Sequence, residues 1–405
     1  MRKVVRFVLA VLIFLIAAWL GLWWYAEGRM QAGINNWAEQ MAANGNGNVK
    51  VSYDSLTRGT SPLAATVALT NLQVTAQANP AQTPISVTLP SLALRVDALD
   101  PLVLHVDWPQ QLNLVTSRAN VAITFGSIWQ TAKIDPHALV AGEANPFSTN
   151  DMAASNISVL ASGSLLVLHL DDVAVHNVMD RTAGAGQTAI SSTETMDGIA
   201  LSPLFARLAS VPFGGRIAHL ALSLDLSGPV PPDAWQGLIT QLNALPAGDK
   251  ADRRKLVVHA VHDWAAQGGS AKGAVNLVLG PSTLDAAGAV KFDANAQPSG
   301  TGDATANHLD AFSAAITRSY PQLQGPISGI EAELSPYLSS TDAGGQTLTV
   351  HATYGAGAVN INGQKVSDLP PLNWATLANP PPAPPVPPQA PGDGSGAAMP
   401  MPSGQ

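Results

Sequence analysis

The chain has 405 residues, 46% of them hydrophobic, enough for a sizeable core in one large domain or two to three ordinary ones. It has no cysteine, which excludes a disulfide framework, a thiol nucleophile, a Cys-ligated zinc, an iron–sulfur cluster and a lipoprotein anchor. With only 12% charged residues and a net charge of −8, a phosphate-binding surface is not expected, and nucleic acid is not an expected partner.

Phe7 to Tyr25 is an unbroken apolar run through Leu15 and Trp19. At ~1.5 Å per helical residue it spans about 28 Å, the thickness of a bilayer's hydrocarbon core. Arg2, Lys3 and Arg6 precede it, and Glu27 with a single Arg29 follows. The positive-inside rule therefore predicts residues 1–6 in the cytoplasm, a spanning anchor over 7–25, and the rest of the chain on the other side. Trp23, Trp24 and Tyr25 stand at the far end as an aromatic belt. The rival reading is a cleaved signal peptide, which wants small residues where these bulky ones stand.

Residues 26–47 continue as a juxtamembrane helix and linker. Met30, Ile34, Trp37 and Met41 form one stripe, read as a stalk packing on the following domain, and Asn44-Gly45-Asn46-Gly47 ends it. From about 48 to 378 the period becomes two. Leu220, Leu222, Leu224 and Leu226 alternate with polar or small residues, as do the leucines and valines of 92–96 and 102–106. Phase slips at Thr70-Asn71 and Asp171-Asp172 predict a bulge or strand break. Strands through Val290 and Phe292 predict a meander, with turns at Gly280-Pro281 and Gln297–Gly300 and a hairpin at Asn362-Gly363. Helices are expected over Asp233–Leu245, Asp249–Ala266, Asp310–Tyr320 and Gly198–Ser210. Residues 379–405 read as a disordered Pro-rich tail, since ten of the thirty-one prolines fall in the last twenty-six residues. The fold class is thus α+β and β-dominated: a transmembrane helix, then an elongated, curved antiparallel sheet with a few covering helices.

Several motifs in order resemble a bacterial envelope family known as domain of unknown function 2125. They are Trp23-Trp24-Tyr25, Val49–Asp54, Trp264 with Gly268-Gly269, Leu279-Gly280-Pro281, Leu284–Gln297 with Pro298-Ser299-Gly300, and Asn362–Leu372. Arg58–Pro62 departs from the family's Gly-Phe-Pro turn. The resemblance brings no known activity. The strand pattern is also similar to the AsmA and TamB type of envelope protein, which implies an apolar groove and lipid handling by fold analogy.

Chemistry-bearing constellations are sparse. His259, His262 and Asp263 share a helix face at metal-ligand spacing, but the order differs from zinc-protease helices and no further ligand is indicated, so a solvated face is favoured. His169 and His176 around Asp171-Asp172, and His105-Val106-Asp107, read as exposed strand faces. Gly268–Gly273 reads as a helix-to-strand loop and not as a nucleophile motif. No catalytic residue, metal or cofactor is assigned. The expectation is a non-enzymatic inner-membrane protein with a periplasmic domain, binding lipid or supporting envelope assembly. Its partners would be the bilayer, a lipid ligand and envelope proteins. The alternative is an interaction scaffold presenting a folded domain and the Pro-rich tail; a metal-dependent envelope hydrolase comes last. Leu220 to Leu226, with Val290 and Phe292, are the candidate apolar face. It is read as a filled core, with an open lipid groove as the alternative.

Overall fold

The computed structural model describes residues 21–380 apart from 22, 40, 43–48, 62, 78–82, 117–118, 142, 144, 231–236, 239, 243, 246–248, 341–344 and 356. Most of the apolar run 7–25, the Asn-Gly linker and the tail beyond 380 therefore lie outside the described residues. Among the described residues no helix is long and apolar enough to cross a membrane.

Among the described residues nineteen strands form one antiparallel sheet. In its first part, β1 (Val49–Ser52) and β2 (Ser55–Arg58) pair end to end along β3 (Ala64–Ala76), which pairs with β4 (Ile85–Asp97). β5 (Asp100–Asp107) and β6 (Gln111–Val115) both follow β4. β7 (Asn120–Thr124) and β8 (Ser127–Ile134) continue them and both meet β9 (Phe147–Ala161). The sheet then runs as a meander through β10 (Leu165–Met179), β11 (Thr188–Leu201), β12 (Arg216–Ser227), β13 (Ser270–Leu279), β14 (Ser282–Phe292) and β15 (Pro298–Asn307). Last come β16 (Leu338–Ser340), β17 (Gln346–Gly355), β18 (Ala358–Ile361) and β19 (Gln364–Asp368).

The predicted phase slips are kinks shared by neighbouring strands. Asn71 takes φ 50°, yet Thr70 pairs with Ser91 and Leu72 with Leu89 in an unbroken register, because Pro90 steps out opposite Asn71. Both strands flip phase together, so Leu69 and Leu72 are both buried. At this level the edge partner of β3 changes from β2 to β1. The same device recurs at Asn156 (φ 50°), Asp171 and Gly198 (φ 63°), which face one another across β9, β10 and β11. A Cβ on Gly198 would lie 1.9 Å from Asp171 Oδ2, so this position needs glycine for space as well as for backbone angle.

Turn chemistry sets two hairpins as expected. Gly280 (φ 60°) joins β13 to β14, and Asn362-Gly363 (φ 49° and 80°) joins β18 to β19. The turn expected at Gln297–Gly300 lies earlier. The Asp293 carboxylate accepts from the amides of Asn295 and Gln297 and closes the turn there, so Pro298 already begins β15. Likewise Gly198–Leu201 completes β11, and the helix expected over Gly198–Ser210 is confined to Pro203–Leu208, where Pro203 supplies a favourable first turn.

The Lys250–Ala266 helix starts as predicted, with the Asp249 side chain accepting from the Asp252 amide. It ends in a left-handed Gly268 whose neighbour Gly269 donates to the Trp264 carbonyl. The expected loop over Gly268–Gly273 is therefore only its first two residues, and Ser270 begins β13. Leu309–Ser319 forms as expected; Gln324–Leu334 is a helix the periodicity did not single out. Of the helix expected at Asp233–Leu245, the described residues 237–238, 240–242 and 244 are helical.

Candidate functional site

Directly paired residues of antiparallel strands point to the same face, so the registers trace each face across the sheet. One row runs Val67, Leu94, Val106, Gln130, Met152, Val175, Glu194, Leu222, Val275, Ala286, Ala304, Val350. It is apolar except at Gln130 and Glu194, with Met152 and Val175 between them. The candidate residues Leu220, Leu222, Leu224, Leu226 and Val290 share this face, because Leu226 pairs with Ala271 and Ala271 with Val290. Phe292, two residues on, lies there too.

Helices cover the two ends of the face. Helical residues 23–39 lie on β3 and β4, where Met30 and Ile34 pack with Val67, Leu69, Leu72 and Leu89. The stalk reading of that stripe holds for Met30 and Ile34, while Trp37 stays exposed. At the other end the Trp264 and Trp374 rings flank Phe292, with centroids 5.8 and 6.2 Å away. Phe312 stacks on Phe213 at 6.3 Å beside the β13–β14 turn.

Between these covers the face is open. Leu222 and Leu224 are 37% and 46% exposed, and Val275 is exposed beside them. The expectation of a filled core under these leucines is therefore corrected: alternation reports a shared face but not whether anything lies on it. Next to Leu224, Gly273, Gly288 and Gly302 stand side by side in register. This strip of bare backbone is a furrow crossing three strands. It is bounded by the Val275–Ala286–Ala304 row on one side and Ala271 and Val290 on the other. Alternate same-face residues are ~7 Å apart along a strand, so the furrow is about two such steps wide between its walls.

The polar stretch of the face adjoins the furrow. Trp108 Nε1 donates to Gln130 (2.9 Å), Gln130 donates to Asn150 (2.7 Å), and Ser192 donates to Asn177 (2.7 Å). Glu194, half-buried, stands directly opposite Leu222. Such a face offers hydrogen-bonding groups beside an apolar furrow, an arrangement suited to a molecule with a polar head and a hydrocarbon chain.

The opposite face is polar. His176 pairs with Asp151, His219 lies 2.6 Å from Asp197, and His351 lies 2.6 Å from Asp303, each directly across strands. His105 and His169 sit 3.5 and 3.2 Å from Asp97 and Asp171. The sequence places the histidines of β5 and β10 on exposed faces, but not the cross-strand partner of His176, Asp151, which is 25 residues away in the chain. Shallow depressions of about 330 and 540 Å³ on this face have floors of alanine and backbone between polar rows.

The metal candidates do not converge. His259 is exposed, while His262 lies edge-on to Trp374 at 5.3 Å and 3.3 Å from Asp263. Among the described residues no three His, Asp or Glu side chains gather as a metal site. Of the anchor candidates, Trp23 donates its indole N–H to the Ala64 carbonyl (3.0 Å), and the Arg58 guanidinium sits over the Trp24 ring at 5.4 Å. Tyr25 is exposed. Phe7, Leu15, Trp19 and the basic residues Arg2, Lys3 and Arg6 lie outside the described residues.

A family model described as an uncharacterized protein conserved in bacteria (DUF2125) matches residues 23–370. No curated protein and no solved structure matches. The wider likeness to AsmA and TamB proteins thus has no support beyond the strand pattern.

Proposed function

The chain belongs to the DUF2125 family of bacteria, whose match spans the whole sheet, and from that premise we propose a membrane-tethered envelope protein that holds a lipid on the open apolar face. One observation carries this reading: Leu222, Leu224 and Val275 are exposed beside the glycine furrow while both ends of the same face are covered. A hydrocarbon chain lying in the furrow would remove these side chains from water, a gain of ~25 cal/mol for each Å² of apolar surface buried. The polar belt of Gln130, Asn150, Asn177, Ser192 and Glu194 would receive the head group. The Glu194 carboxylate could accept from hydroxyl or amine hydrogens of the head, and the amide N–H groups could donate to its oxygens. Within the proposal, the tether is the Phe7–Tyr25 run, residues 1–6 are cytoplasmic, the sheet is periplasmic, and the protein performs no catalysis.

Native mass spectrometry of the detergent-extracted full chain tests this directly. A bound mass matching a phospholipid is expected. Gly288→Leu should abolish it, because a side chain there fills the furrow while its Cβ meets only the Thr301 carbonyl at 3.4 Å. Equal lipid content in wild type and Gly288→Leu, with unchanged folding, would overturn the reading. An unliganded wild type would favour the scaffold alternative.

A further inference from the structure

We propose that the edge of the sheet beside the N-terminal helix enters the bilayer interface, with Leu63, Leu99, Leu139 and Val140 as the inserting side chains. The inference rests on the reading of residues 7–25 as a membrane anchor and adds a second, independent contact to it.

The placement of the helix defines the edge. Trp23 is bonded to Ala64, the Thr66 amide donates to the buried Glu27 carboxylate (3.2 Å), and Ile34 packs on Leu69 and Leu72. The helix therefore runs alongside β3, and its first residues lie where β3 begins. The strand registers collect three loops at the same edge. Ala64 pairs with Asp97 and Asp97 with Asp100; Val103 pairs with Lys133 and Ile134 with Phe147. The Ala98 amide donates to the Leu63 carbonyl at 2.9 Å, tying two of the loops together. The Pro136–Ala141 helix is the third.

This edge carries the most exposed large hydrophobic side chains. Leu99 is 100% exposed, Val140 89%, Leu63 71%, Trp24 63% and Tyr25 60%. Leu139 at the same edge is 55% exposed; among the described residues elsewhere, Leu208 at 73%, beyond the opposite ends of the strands, and Ile330 at 56%, on the Gln324–Leu334 helix, compare with them. The described helix begins at this edge, with Trp23 on Ala64, and the sequence before it is apolar from Phe7 to Leu20. That continuity commits the occupant to lipid. Charges at the edge are largely paired: Asp97 with Arg95 (3.7 Å) and His105, and Asp135 and Glu143 with Arg181 (3.7 and 2.9 Å). Insertion should therefore need no anionic lipid.

Two attachments at one edge would hold the sheet upright on the membrane, with the furrow running across the strands and parallel to the bilayer. A single flexible tether would leave the orientation free.

The chain lacks cysteine, so single-cysteine variants of the full-length protein report cleanly. Leu15→Cys, Leu99→Cys, Val140→Cys and Leu208→Cys would each carry an environment-sensitive fluorophore. Each would be reconstituted in phosphatidylcholine vesicles, with or without phosphatidylglycerol, containing lipids spin-labelled at shallow or deep positions. The expected result is quenching of the Leu99 and Val140 labels by the shallow spin label, ~5–10 Å below the headgroups, in both vesicle types. The Leu15 label should be quenched by the deep one and the Leu208 label by neither. If Leu15 is quenched while Leu99 and Val140 behave like Leu208, the proposal is overturned and the anchor stands. Quenching at Leu99 and Val140 without Leu15 would keep the edge contact and overturn the anchor. Quenching at none of the four would overturn both.

Discussion

Leu69 stands between Leu56 and Leu92 and is buried, whereas Leu222 stands between Glu194 and Val275 on the same face of the sheet and is exposed. Leu69 lies under Met30 and Ile34, whereas nothing among the described residues covers Leu222. Leu69→Ala should cost ~2–5 kcal/mol in a denaturant melt through the cavity it leaves. Leu222→Asp should cost under about 1 kcal/mol, since its new charge stays in water, but should lower lipid content in native mass spectrometry. Equal destabilisation would restore the filled core. Asp310 gives a pH test. Its carboxylate accepts from the Gln346 amide (3.0 Å), and this bond foremost holds its pKa below the ordinary aspartate value. A depressed carboxylate pKa stabilises above the unfolded-state value and loses that contribution as pH falls through the folded one. Asp310→Asn should therefore melt lower than wild type at neutral pH, with the gap closing in acid. A gap unchanged down to low pH would assign the effect to something other than ionisation.

Among the elements, the helix over 23–39 packs on the domain that follows it, as its stripe suggests, through Met30 and Ile34. It covers the first part of the sheet and is fixed there by Trp23, Glu27 and the Arg58–Gln31 bond (3.0 Å). Ile34→Ala should destabilise by ~2–5 kcal/mol and raise hydrogen exchange at Thr66 to Leu72, whereas Trp37→Ala should leave both nearly unchanged. Matching effects at the two positions would mean that the whole stripe is packed. The paired kinks act at this scale too. Asn71 with Pro90, and Asn156 with Asp171 and Gly198, keep long strands in register while rotating their faces.

For the whole molecule, Trp374 ties the last described residues to the sheet. Its indole donates to the Ala296 carbonyl (3.1 Å), and the Leu372 amide and carbonyl both bond the Gln297 side chain. Truncation after Pro380 should leave the melting temperature unchanged. Truncation after Leu372 should lower it, because Phe292 and His262 lose their aromatic partner. A drop on removing only residues 381–405 would place the boundary further along the chain.

The sequence by itself determined the β-dominated class, the meander from β13 to β15, the Gly280 and Asn362-Gly363 turns, the Asp249 cap and the grouping of four leucines on one face. All of these rest on interactions within a strand, a turn or one helical turn, where period and backbone preference decide. The motif order also pointed to the family whose match covers residues 23–370. Only the tertiary structure decided which part of the apolar face is covered, where the glycines of three strands align, and which aspartate meets which histidine. Those outcomes depend on register between segments tens of residues apart. Gly273, Gly288 and Gly302 are unremarkable in their own strands; they become a furrow only because antiparallel pairing sets them side by side.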